Sequence, residues 1–161
     1  MSTPRPNARR PMRVRTAAAA GGVVLRSAEH GREVILVGRT SDGSWVFPKG
    51  TPSAGETSQD TALREVREET GLDVRILRPL GDMEYWFAAG AERVHKLVSF
   101  FLMEAIGGDL SRHDHEYDLV RWVSVSEARR MLTFDTYRDV LDRADRADRA
   151  DRALAPEEAA S

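Results

Sequence analysis

Three glutamates in one short stretch carry the clearest chemical signal in the chain. Glu65, Glu68 and Glu69 fall at i, i+3 and i+4, a spacing that puts three carboxylates on one face of a helix. Ala62, Leu63, Val66 and Thr70 gather on a different arc, which can face a core. Like charges one turn apart cost a helix about 0.2–0.5 kcal/mol per pair, so something must offset the repulsion. Arg64, four residues before Glu68, can pair with it. A hard divalent cation is the stronger answer. Mg²⁺ prefers oxygen donors and keeps positions open for water and phosphate oxygens. Such a site would suit phosphoryl chemistry, although for the triplet alone an exposed helix rich in Glu and Arg is the commoner reading.

The rest of the chain must position that face. Its 161 residues suffice for one compact domain. With 41% hydrophobic and 31% charged residues, it reads as a soluble core with polar extensions. A net charge of −2 makes nucleic acid an unlikely main ligand. The absence of cysteine excludes disulfides, thiolate metal sites and thiol catalysis. No apolar run reaches the roughly 18 residues that span a bilayer. Arginines before Thr16–Leu25 imitate a signal peptide, but Val23, Val24 and Leu25 favour a buried first strand. A cytoplasmic location is the expectation, and no signal of oligomeric state is legible.

Strands are expected over 16–27, Arg32–Arg39, Ser44–Phe47, about Leu72–Ala88 and Glu92–Glu104, and Asp118–Val125. A helix is expected over 57–70, capped by Thr57 or Ser58 and ended by Gly71, with a shorter one over Glu127–Leu132. A loop runs from Gly107 to His115. The organisation expected is a disordered basic arm over 1–15, a catalytic domain over 16–140, and a charged helical extension over 141–161. The extension contains a three-residue repeat, Asp-Arg-Ala, from Asp142 to Ala153. A period of three cannot keep Ala on one face of a helix, so a solvated extension is the expectation.

The full segment GTPSAGETSQDTALREVREETGL, Gly50 to Leu72, has Glu56 six residues after Gly50 and then Arg64-Glu65-Val66-Arg67-Glu68-Glu69-Thr70-Gly71-Leu72. It matches the Nudix box at every specified position, and the chain resembles the Nudix hydrolase family from about Thr16 to Leu132. The resemblance implies an α/β fold, an α/β/α sandwich around a mixed sheet, and a Mg²⁺-dependent enzyme, with Mn²⁺ as a substitute. It implies Glu68 and Glu69 as main metal ligands, Glu65 as a further ligand or the residue orienting water, and Arg64 as the residue holding the glutamates. The backbone carbonyl of Lys49 is implied as another ligand. Glu56 is implied to brace the loop or help bind metal. Glu116, in HDHEYDLVRW, is implied as an extra acidic ligand or general base, while His113 and His115 read as a solvated loop. Glu65 and Glu116 both remain candidates for the base.

The ligand implied is a small-molecule nucleotide. The stretch Glu84–Leu102 followed by the Glu116 loop is similar to the diadenosine polyphosphate branch and also to MutT-like proteins. Lys49 and Lys96 can meet separate phosphates. Tyr85 and Phe87 share one strand face and can offer a base-stacking platform, with Trp86 on the other face. The alternatives are a pyrophosphatase for damaged nucleoside triphosphates of the oxidised dGTP type, a non-catalytic nucleotide-sensing module, and an RNA-associated protein anchored by its basic arm. A sensing module would be expected to lack box glutamates, and all are present. Excess EDTA is expected to stop turnover and Mg²⁺ or Mn²⁺ to restore it. Full activity under chelation would exclude the metal mechanism.

Overall fold

The first apolar run of the chain forms the spine of a mixed sheet. In this computed structural model, which describes residues 13–154, β1 (Arg13–Ala28) pairs antiparallel with β2 (Gly31–Arg39) and parallel with β6 (Glu92–Gly108). β6 runs antiparallel to β5 (Leu72–Ala89), and β2 carries β3 (Ser44–Val46). The order is β3-β2-β1-β6-β5, with β4 (Lys49–Gly50) on β1 and β7 (Leu119–Ser124) on β2. Val23, Val24 and Val34 to Val37 are fully buried. Near-continuous apolar runs are what a sheet covered on both faces requires.

Each face has its own helical cover. α1 (Ser58–Thr70) lays Ala62 and Val66 against Ala20, Val24, Phe101 and Met103. α2 (Val125–Met131) and α3 (Asp135–Leu154) cover the other face, where Ala128, Tyr137, Val140, Leu141 and Ala144 pack with Val23, Phe47, Val98 and Phe100. The result is an α/β/α sandwich. α1 starts where local chemistry directs it. Thr57 accepts from the Asp60 N–H at 3.1 Å, and Asp60 returns the bond to the Thr57 N–H at 3.2 Å. Gly71 closes the helix at φ 79°, a left-handed position that suits glycine.

Two adjacent glycines let the chain cross tightly. A Cβ on Gly21 would stand 2.2 Å from the Pro48 carbonyl oxygen and 2.6 Å from Lys49 Cβ. A Cβ on Gly22 would stand 2.5 Å from Met103 Sδ. With no Cβ on Gly21, Lys49–Gly50 lies directly on β1, and the Gly22 N–H donates to the Pro48 carbonyl at 3.2 Å; the bare Gly22 instead lets Met103 and Val66 close on the strand.

Several boundaries differ from the sequence expectation. β1 begins at Arg13, because β6 supplies Glu92, Arg93 and Val94 as partners for Arg13, Val14 and Arg15. Those three residues are strand rather than arm, and the rest of the expected arm lies outside the described residues. β6 continues to Gly108, paired with Leu72. α2 begins at Val125, because Ser124 caps it by accepting from the Glu127 N–H.

The larger correction concerns the extension. α3 runs unbroken through residue 141, and Tyr137, Val140, Leu141 and Ala144 at i, i+3, i+4 and i+7 form its buried stripe. The helix is docked and not solvated; the repeat conceals a stripe that begins before it. Gly21→Ala is expected to destabilise the fold by about 1–3 kcal/mol in urea unfolding, because nothing nearby can yield. Gly107→Ala, whose Cβ would meet only Asp73 at 3.5 Å, should unfold near wild type. Equal stabilities would contradict the packing argument.

Candidate active site

Glu65 and Glu69 stand about 40° apart on α1, since four residues make slightly more than one turn. That face turns toward β4. Glu65 is 8% exposed and Glu69 is fully buried. Glu69 Oε2 accepts from the Lys49 N–H at 3.0 Å, and its Oε1 is buried with no hydrogen-bond partner. The Glu65 carboxylate lies over Gly50, where a Cβ would come within 2.1–2.3 Å of it. Glu116 arrives from the loop before β7. One oxygen from each of Glu65, Glu69 and Glu116 falls within 4.8 Å of the others.

Three carboxylates this close cannot all stay charged without compensation. Burial first, then repulsion from Glu116 and Glu65, pushes the Glu69 carboxyl from 4.5 up to about 10. The donors are all oxygen, one is orphaned and buried, and the local charge is negative. These features fit a hard divalent cation such as Mg²⁺ or Mn²⁺.

Arg64 sorts the remaining acids. Its guanidinium donates to Glu56 at 2.8 and 2.9 Å, to Glu65 at 2.8 Å, to Glu68 at 3.1 Å and to the Thr51 carbonyl at 3.1 Å. Hydrogen bonds from Arg64, then from the Ser53 N–H, hold the Glu56 carboxyl down at about 2. The same contacts raise the Arg64 pKa further above its ordinary value.

The Glu116 loop is tied down along its length. The Asp109 N–H donates to the Gly71 carbonyl at 3.0 Å and the Asp114 N–H to the Glu68 carbonyl at 2.8 Å. Arg39 donates from Nε to the Glu116 carbonyl at 3.2 Å, approaches its carboxylate at 3.6 Å, and lies 4.2 Å over the Tyr117 ring. Asp118 accepts from the Thr40 N–H at 2.9 Å and from its hydroxyl.

A cleft of about 640 Å³ opens beside these groups, lined by Arg39, Lys49, Tyr85, Tyr117, Phe134 and Tyr137 among others. Burial, then the charge of Lys96, lowers the Lys49 pKa. Burial, then the Glu69 carboxyl, pushes the Tyr117 hydroxyl up to about 12, so it stays a hydrogen-bond donor.

Residues 15–144 match the NUDIX domain family. The chain belongs to the Nudix hydrolase family. Hydrolases of this family act on phosphoanhydride bonds. The chain is 38% identical over 131 residues to the MutT4 protein of Mycobacterium tuberculosis (strain CDC 1551 / Oshkosh), covering 78% of this chain and 53% of that protein. It therefore spans about half the length of that relative. It is 32% identical over 110 residues to the asymmetrical bis(5'-nucleosyl)-tetraphosphatase of Rattus norvegicus, covering 66% of this chain and 75% of the relative. The fold is shared with a C. elegans Ap4A hydrolase binary complex, at a TM-score of 0.64 and 18% identity, over 83% of this chain and 98% of that one. No helix among the described residues is long and apolar enough to cross a membrane.

Within this Nudix hydrolase the structure brings together only some of the expected ligands. Glu65, Glu69 and Glu116 converge. Glu56 braces the loop through Ser53 and Arg64. Glu68, expected beside Glu69 as a main ligand, is half-exposed on Arg64, because it lies about 100° around the helix from Glu69. Lys49, whose carbonyl was expected as a metal ligand, stands beside Glu69 and donates its N–H to that carboxylate. Tyr85 lines the cleft. Phe87, 6.0 Å from it between centroids, stays on the exposed surface. Lys96 sits 6.0 Å from the Tyr85 ring. Trp86 stacks on His95 at 4.4 Å. His113 and His115 take no part in the acidic cluster. Sequence reasoning missed Arg39, Tyr117 and Phe134. Arg39 merely ends an apolar strand and Phe134 merely precedes a helix, so neither carries a local signal.

The raised Glu69 pKa has a measurable consequence. In metal-free protein, the stability tied to protonated Glu69 is complete below its unfolded value of 4.5 and is lost as pH rises toward about 10. Tm in EDTA should fall between about pH 5 and 9, Mg²⁺ should offset the fall, and Glu69→Gln should flatten the slope. Superimposable profiles for wild type and Glu69→Gln would contradict the buried-carboxyl account.

Proposed function

We propose that this enzyme hydrolyses a phosphoanhydride bond in dinucleoside polyphosphates of the diadenosine type, with Mg²⁺, or Mn²⁺ in its place, held by Glu65, Glu69 and Glu116. The observation that carries the reading is the cleft. Its cations Lys49 and Arg39 adjoin the carboxylate cluster, and Tyr85 and Phe134 present rings on its walls. When bound, the cation neutralises phosphate charge and makes water more acidic.

The side chains divide the remaining work. Lys49 meets phosphate as a point charge, and Lys96 near Tyr85 supplies a second cation for a longer phosphate chain. Tyr85 offers its face to a base. Glu116 takes the proton of the attacking water. Its carboxylate is exposed and meets Arg39 only at 3.6 Å, whereas Glu65 already accepts from Arg64 at 2.8 Å and Glu69 is buried. Arg64 holds Glu56, Glu65 and Glu68 in fixed places. The tetraphosphatase relative supports the substrate class.

A second reading, removal of damaged nucleoside triphosphates, is favoured by 36% identity over 137 residues to the 8-oxo-(d)GTP phosphatase of Mycolicibacterium smegmatis, of which this chain spans 41%. A panel of diadenosine tetraphosphate, ATP and 8-oxo-dGTP assayed with Mg²⁺ decides between them. The dinucleotide is expected to give the highest kcat/KM, and a preference for 8-oxo-dGTP would select the second reading. Tyr85→Ala should weaken adenine-containing substrates by about 1–3 kcal/mol through KM. Glu116→Gln should lower kcat by about 10²–10⁴ at saturating Mg²⁺, as loss of a general base does. Near wild-type kcat in that variant would remove Glu116 from the role.

A further inference from the structure

The Asp-Arg-Ala repeat has a physical meaning that its period conceals. Three residues turn an α-helix through about 300°, so successive aspartates step back about 60° and wind around α3. Each aspartate therefore faces a different direction. Asp142 pairs with Arg129 of α2. Arg32 of β2 donates to Asp145 at 3.0 Å and forms a close ion pair with Asp148 at 2.5 Å, without hydrogen-bond geometry in the second contact. Asp151 takes Arg78 of β5 at 2.9 Å. Two repeat arginines add to the grip, Arg143 donating to the Asp82 carbonyl at 2.9 Å and Arg152 to the Ser27 hydroxyl at 2.8 Å.

The Arg32 junction is the most enclosed of these contacts. Its three side chains are 15%, 19% and 13% exposed. Arg149 and Arg152 back the two aspartates at 3.2 and 2.9 Å. About two to three turns toward the N-terminus of the same helix, Thr136 and Tyr137, with Phe134 just before the helix, line the cleft. α3 is 20 residues long and contains no proline or glycine. It spans about 30 Å and has none of the usual causes of a kink, so a change of tilt at one end reaches the other.

We propose that Arg32 is a positioning residue for the nucleotide cleft. By holding Asp145 and Asp148 it fixes the tilt of α3, and with it the distance of the Phe134–Tyr137 wall from Tyr85 and Lys49. The proposal rests on the reading of the cleft as the nucleotide site and adds a specificity role for the repeat. α3 packs on β5, β6 and α2, while Glu65 and Glu69 stand on α1. Loosening the junction therefore acts on KM and leaves kcat.

The test is Arg32→Met in the full chain, with kcat and KM for the best substrate of the panel and deuterium exchange over residues 134–141. KM should rise about fivefold or more with kcat within about twofold, the signature of lost uniform binding. Exchange over 134–141 should quicken while that over 58–70 stays unchanged, and Arg32→Lys should recover part of both effects. If Arg32→Met fails to fold, Asp148→Asn reports the same junction. Unchanged KM with faster exchange would overturn the proposal, as would a fall in kcat alone. Phe134→Ala separates the two failures. If it raises KM while Arg32→Met does not, the cleft reading stands and this proposal falls; if neither raises KM, both fall.

Discussion

Burying Glu69 beside two other carboxylates is the arrangement on which the rest of the structure turns. Desolvating a charge costs several kcal/mol unless it is paired, and Glu69 keeps one oxygen without any partner. The protein supplies a single hydrogen bond, from the Lys49 N–H. To deliver it, Lys49–Gly50 must lie against β1, which is possible only because Gly21 presents no side chain there. Gly50 in turn makes room for Glu65. The backbone of the central strand is thus shaped by the needs of one carboxylate, and the remaining deficit is one a divalent cation would satisfy.

Two arginines keep the acidic region ordered from opposite sides. Arg64 collects Glu56 and Glu68, which would otherwise add to the repulsion, and steadies Glu65 without neutralising Glu69. Arg39 binds the loop that carries Glu116 and stacks on Tyr117, joining the cluster to the cleft. The loop is fastened to Gly71 and Glu68 of the box itself. The helix that bears two carboxylates therefore also helps place the third.

The box was fully legible, since its chemistry lies in residue identity and spacing within one helix and one turn. The Thr57 cap, the Gly71 terminator and the buried character of Val23–Leu25 were legible for the same local reason. Glu116 could be named from resemblance, but nothing local shows that Arg39 holds it, because that contact joins the end of β2 to a loop distant in sequence. Helical proximity alone does not say which of the three box carboxylates turns inward, so the burial of Glu69 and the placing of Glu68 on Arg64 were not legible. The docking of α3 was not legible in its repeat, because a period of three keeps no residue type on one helical face. The buried stripe starts at Tyr137, before the repeat, and the partners of the aspartates lie on β2, β5 and α2.

The central claim is that Glu65, Glu69 and Glu116 together hold one hard cation at the mouth of the cleft. Crystals grown with Mn²⁺ and measured at the manganese absorption edge test this directly. The account predicts an anomalous peak within about 2.0–2.3 Å of Glu69 Oε1, with Glu65 or Glu116 completing the contact, a separation typical of small hard cations on oxygen. A peak confined to Glu56 and Glu68, with Glu69 still without a partner, would contradict it.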